Sequence, residues 1–119
     1  MFMVKRVYAA ASPQDGKRYL VDRIWPRGLT KERAGLDGWL KDLAPSHALR
    51  AFVHGDPAGW EQFEPRYRQE LTTPAAASLL ETLREEAESG VVTLLYAAKD
   101  EQRNNAVCLK KILEDKGRG

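Results

Sequence analysis

Two stretches of the chain gather side chains able to hold or transform a ligand. The first is Val21-Asp22-Arg23-Ile24-Trp25-Pro26-Arg27-Gly28. Charged groups inside or just after an apolar strand are costly to bury unless they are paired or employed. The planar fork of arginine suits carboxylate or phosphate, and Gly28 would let backbone approach a ligand closely. A plainer arrangement competes: Asp22 pairs with an arginine and ties the strand to a loop. Trp25 and Pro26 read as core plugs, whereas Arg27 fits either role.

The second stretch is Ala97-Ala98-Lys99-Asp100-Glu101-Gln102-Arg103-Asn104-Asn105. Small residues at a strand end leave room, and a helix beginning there turns free amides and a positive dipole end toward that space. Lys99 stands where it could neutralise an anion. Asn104 and Asn105 are poor helix formers in an early helical turn. They either face a ligand or satisfy nearby backbone. Asp22, Arg23, Arg27, Gly28, Lys99, Asn104 and Asn105 are the candidate ligand-binding residues.

Other chemistries find little support. His47 and His54 are seven residues apart, two helical turns or about 10 Å, too far to share a zinc ion. Both read as surface histidines. Cys108 falls on the apolar face of a helix and reads as inert packing. No Walker loop, dinucleotide fingerprint, nucleophile elbow or HExxH motif is present, so neither metal nor cofactor is expected.

The elements that must position these residues follow from pattern and punctuation. Val4 to Ala9 predicts a first strand, and Ser12-Pro13-Gln14-Asp15-Gly16 is turn chemistry. Tyr19 to Ile24 predicts a second strand, ended by Pro26. The link of about ten residues leaves both a hairpin and a tight parallel crossover open. Trp25 to Gly35 reads as a loop, with a single turn begun at Thr30. Asp37 predicts the cap of a short helix through Trp39, Leu40 and Leu43, closed by Pro45. Ser46 is an N-cap for the next helix, and Asp56-Pro57 repeats the start signal. Trp60, Phe63, Tyr67 and Leu71 then form a helical core stripe, with a kink or break expected at Pro65.

Thr73-Pro74 opens a helix with Leu79, Leu80 and Leu83 inside and Glu81, Glu85 and Glu88 outside, stopped by Gly90. Val91 to Tyr96 is the clearest strand, apolar enough to be covered on both faces. Asp100 predicts the cap of a last helix, lined by Ala106, Leu109 and Leu113 with Cys108 and Ile112 beside them. The whole reads as α/β: a small, mainly parallel sheet flanked by helices, with helix content well above strand.

Composition sets the outer bounds. The chain has 119 residues, 43% apolar and 30% charged, which suits a single α/β domain over residues 1–119 and excludes disorder over most of it. A lone cysteine fits a reducing cytoplasm. Val91 to Ala98 is too short to span a membrane, and Met1 to Val4 is too short for a signal sequence's apolar region. The net charge of +2 is unevenly spread. Residues 1–33 hold eight Lys or Arg against three Asp or Glu, and the remainder hold eleven against fourteen. The basic third could face an anion or could simply be solvated.

The order of several blocks is similar to one family. These are residues 21–28, Pro45-Ser46 with Leu49-Arg50, Phe63 with Tyr67 and Glu70-Leu71, and residues 93–100 with Asn104-Asn105-Ala106. The chain resembles the YeaO-like branch of the domain-of-unknown-function-488 family over nearly its whole length. The resemblance implies a compact cytosolic bacterial α/β protein and transfers no catalytic residue. Longer relatives carry a Cys-His-Arg run where this chain has Asn104-Asn105-Ala106, so thiol or imidazole chemistry there is not implied. The sequence names no substrate or reaction. It points to a small anion- or phosphate-binding protein or enzyme, with a nucleic-acid- or protein-binding module built on the basic third as the alternative.

Overall fold

The computed structural model describes residues 1–55 and 59–115, apart from the side chains of His54 and Gly55. The Asp56-Pro57 start signal and the His54 side chain therefore lie outside the described residues. Among the described residues, four strands form one all-parallel sheet: β1 (Phe2–Arg6), β2 (Lys17–Leu20), β3 (Gly38–Trp39) and β4 (Val92–Tyr96), in the order β1-β4-β2-β3. Five α-helices accompany them among the same residues: α1 (Lys31–Ala34), α2 (His47–Gly55), α3 (Trp60–Glu70), α4 (Pro74–Ser89) and α5 (Asn105–Glu114). No helix among the described residues is long and apolar enough to cross a membrane.

β4 is central, as its composition requires, and every residue from Val92 to Tyr96 is buried. Alternation along it feeds two cores. Val92, Leu94 and Tyr96 meet the large cluster built from α2 to α5, including Leu49, Phe63, Tyr67, Leu83 and Leu109. Leu95 faces the other way and packs with Val7 and Leu20 beneath Trp25, Leu29, Leu36 and Trp39. Helices flank both faces of the sheet, but unequally. All the long helices share one face; the other is covered by the single-turn helix α1, a 3-10 turn at Pro13–Asp15 and loop tryptophans.

Of the two connections left open, β1 and β2 are joined by the parallel crossover and not by a hairpin, with β4 lying between them. Their connection crosses the sheet through the Pro13–Asp15 turn. Asp15, at its end, takes Lys5 Nζ at 3.0 Å and Arg18 Nη1 at 2.5 Å, while its carbonyl accepts the Thr93 hydroxyl at 2.6 Å. One buried residue thus joins β1 and β2 through its carboxylate and β4 through its backbone carbonyl. Gly16 follows at φ +62, with its Cβ position only 2.2 Å from the Val91 carbonyl oxygen. Only glycine fits there.

Corrections concern boundaries. β1 starts and ends earlier than Val4 to Ala9, because it pairs residue for residue with β4 from Phe2↔Val92 to Arg6↔Tyr96. β2 stops at Leu20 instead of Ile24, since the chain leaves the ladder toward the loop that holds Asp22. Asp37 caps no helix. Its carboxylate accepts Arg18 N–H at 2.8 Å and its own N–H donates to Arg18 O, which starts β3, and a 3-10 turn at Lys41–Leu43 follows. α3 runs unbroken through Pro65. Asp100 folds back on Gln102 and Arg103 N–H, and Asn104 caps α5 instead, its Oδ1 accepting Val107 N–H at 2.9 Å. Thr30, Ser46 and Thr73 cap α1, α2 and α4 as the sequence indicates.

Candidate functional site

The connections fix where a cleft must open. β1 to β2 and β2 to β3 step in one direction along the sheet and use one face. β3 to β4 steps back and uses the other face, as a constant crossover hand demands. The chain therefore leaves β2 toward one side and β4 toward the other. Ligands in open parallel sheets bind at such a switch point, beyond the carboxyl ends of the strands.

A cleft of about 440 Å³ lies there. The segment after β2 contributes Asp22 to Arg27, and the segment after β4 contributes Ala97, Ala98 and Arg103 to Asn105. α2 and α3 close the remaining side with Arg50, Val53, Trp60 and Phe63. Trp60 and Phe63 stack at 5.0 Å and 14°, giving a flat aromatic wall. The stripe on α3 is therefore core at Tyr67 and Leu71 but cleft wall at its first turn.

Asp22 is the pivot of the β2 side. Its Oδ2 accepts Ala97 N–H at 2.9 Å, so it links the two strand-end segments directly. Trp39 Nε1 donates to the Asp22 carbonyl at 2.6 Å, and Asn105 Nδ2 donates to the Val21 carbonyl at 2.9 Å. Burial pushes the Asp22 carboxyl above its ordinary value, with Ala97 N–H, the Asn105 amide and the Arg50 charge offsetting part of the rise. Among the described residues it makes no ion pair, so the competing arrangement, an Asp22–arginine tie, is not the one adopted there.

The arginines differ in their freedom. Arg23 donates to the carbonyls of Pro45 at 3.3 Å and Ala44 at 3.5 Å, which anchors it across the cleft floor. Arg27, Arg50 and Arg103 line the cleft with no ion pair among the described residues. Gly28 and Lys99 do not line it. Gly28, at φ +76, forms the third position of a turn closed by Leu29 N–H to Pro26 O, and Lys99 is exposed. Asn104 is 4% exposed and occupied as the α5 cap, its Nδ2 donating to Asp100 O. Of the expected residues, Asp22, Arg23, Arg27, Asn104 and Asn105 come together.

Arg50, Arg103 and Trp60 were not legible as site residues. One signal existed for Arg50: it has no acidic partner three or four positions away on its own helix. Of the eight basic residues in the N-terminal third, Lys5, Arg6 and Arg18 are taken up within the fold, while Lys17, Arg23, Arg27, Lys31 and Arg33 are exposed. Lys5 and Arg18 serve Asp15, and Arg6 donates to Ala97 O and Ala98 O, both at 2.9 Å. Two side chains outside the cleft behave as read: His47 is exposed, and Cys108 is buried, its thiol pushed up to about 12 by burial.

No solved structure matches the chain. Among proteins similar in sequence, the uncharacterized protein Rv3073c of Mycobacterium tuberculosis (strain H37Rv) is 41% identical over 110 residues, 92% of this chain and 91% of its own. The uncharacterized protein YeaO of Escherichia coli (strain K12) is 40% identical over 105 residues, 88% of this chain and 90% of its own. Residues 1–118 match the family described as the inactive DUF488-N3 subclade. With that match spanning the fold and both cleft segments, the chain belongs to the DUF488 family, within its inactive N3 subclade.

Proposed function

We propose that the cleft binds a small phosphorylated, nucleotide-like ligand and that the protein holds this ligand without transforming it. One observation carries the reading. Arg27, Arg50 and Arg103, unpaired among the described residues, open on the same cleft as the Trp60–Phe63 wall. Like charges gathered in one place destabilise a fold unless an anion joins them, and an aromatic wall beside them suits a planar or apolar ligand body. The start of α5 at the same cleft adds its positive dipole end. Binding without turnover is supported by the family's description as an inactive subclade. It is also supported by a lining, among the described residues, without cysteine, serine or histidine. The lone, buried Cys108 supports the cytoplasm as the place of action.

Calorimetry and thermal melting with adenosine monophosphate, inorganic phosphate and adenosine test this. The phosphate ester raises the melting temperature and adenosine does not; ligand at 100 times its Kd adds about 2.7 kcal/mol. Arg27→Ala and Arg50→Ala each weaken binding tenfold or more. Equal shifts from ester and nucleoside, or none from either, overturn the reading. A short RNA binding with a steep salt slope while the ester fails favours the nucleic-acid module instead.

A further inference from the structure

We infer that the cleft's ligand is a polyhydroxylated phosphate ester whose hydroxyl groups are read by Asp22. This rests on the anion-binding reading above and narrows it. A carboxylate set among arginines works against a bare anion, since it repels the charge that they attract. Its presence makes sense when the ligand also brings hydrogen-bond donors.

The geometry gives Asp22 that capacity. Its backbone carbonyl is taken by Trp39 Nε1 and the neighbouring Val21 carbonyl by Asn105 Nδ2, so the residue is held in place from both sides. Oδ2 accepts Ala97 N–H. A carboxylate has about four acceptor sites; the Asn105 amide also acts on it, and no cation among the described residues comes within ion-pair distance to fill what is left. Arg23, its neighbour in sequence, is turned to the carbonyls of Ala44 and Pro45. Remaining acceptor capacity on a side chain that lines the cleft is met by the ligand. An ammonium donor would be repelled by the surrounding arginines, so the donors are neutral hydroxyls. Adjacent hydroxyls of a sugar match the two oxygens of one carboxylate.

Calorimetry with ribose 5-phosphate, n-pentyl phosphate and inorganic phosphate, on wild type and on Asp22→Asn, tests the inference. Asp22→Ser is measured alongside as a second removal of the carboxylate. Wild type is expected to bind ribose 5-phosphate about ten- to a hundredfold tighter than n-pentyl phosphate, the worth of hydrogen bonds to a charged acceptor. Both variants should lose that preference while binding inorganic phosphate as tightly as wild type or more so. Equal affinity of wild type for the two esters, or a preference that survives in the variants, overturns the inference and leaves the anion site standing. Failure of wild type to bind any of the three removes the anion site itself, and this inference with it.

Discussion

Two aspartates in this fold respond oppositely to their surroundings. Burial pushes the Asp15 carboxyl up, but Lys5, Ser12 N–H and Arg18 outweigh that push and hold it below its ordinary value of 3.8. Stability from such a group is present above 3.8 and is lost as pH falls through the lower folded value. Asp15→Asn leaves the buried Arg18 unbalanced, so urea denaturation at pH 7 should record a loss of about 3–5 kcal/mol. Asp22 is raised instead, mainly by burial, so its ionised form is the costly one in the fold. Asp22→Asn should therefore melt at or above wild type at pH 7. The gap should close as pH falls through the raised folded value toward 3.8. At Arg27, truncation to alanine should leave stability within about 0.5 kcal/mol of wild type or slightly raised, while phosphate-ester binding disappears. A loss of several kcal/mol on chemical denaturation would make Arg27 structural and sink its place in the site.

Helix starts were readable because Thr30, Ser46 and Thr73 each carry an oxygen at the right place before a helical pattern. Asn104 shows where that reading stops. Asp100 and Asn104 both fit a cap four residues apart, and only the path of the chain after β4 decides between them. Asn104→Ala should cost about 0.5–2 kcal/mol on urea denaturation, whereas Asp100→Ala should cost less than that because its partners are exposed turn amides. The short strand β3 is hidden under a helical pattern because two residues carry no period. Its partner, β2, lies nineteen positions back, at Tyr19↔Gly38. Arg50 and Trp60 escaped for a similar reason: helical spacing says which face they share, not which strand ends that face will meet. Gly16 is an element-scale feature with a sharp outcome. An added methyl would strike the Val91 carbonyl at 2.2 Å, so Gly16→Ala should lose well over 1 kcal/mol and fray the start of β2 in amide exchange.

At the scale of the whole molecule, a doubly buried strand after a glutamate-rich helix was enough to announce a parallel sheet, and the crossover rule then places the cleft. What the pattern could not give was the strand order, which depends on β4 entering between β1 and β2 after most of the chain is in place. One consequence lies at the far edge. Arg6, on the outermost strand, holds both carbonyls of the Ala97-Ala98 rim, and Tyr8, just past it, donates to Arg27 O at 2.9 Å. The edge strand is thus bonded to both sides of the cleft rim, although no residue of β1 lines the cleft. Linkage is reciprocal. If an intact edge favours binding, a bound ligand must tighten the edge by the same free energy. Saturating phosphate ester should slow amide exchange along Met3 to Val7, and Arg6→Ala should weaken binding while abolishing that distant protection.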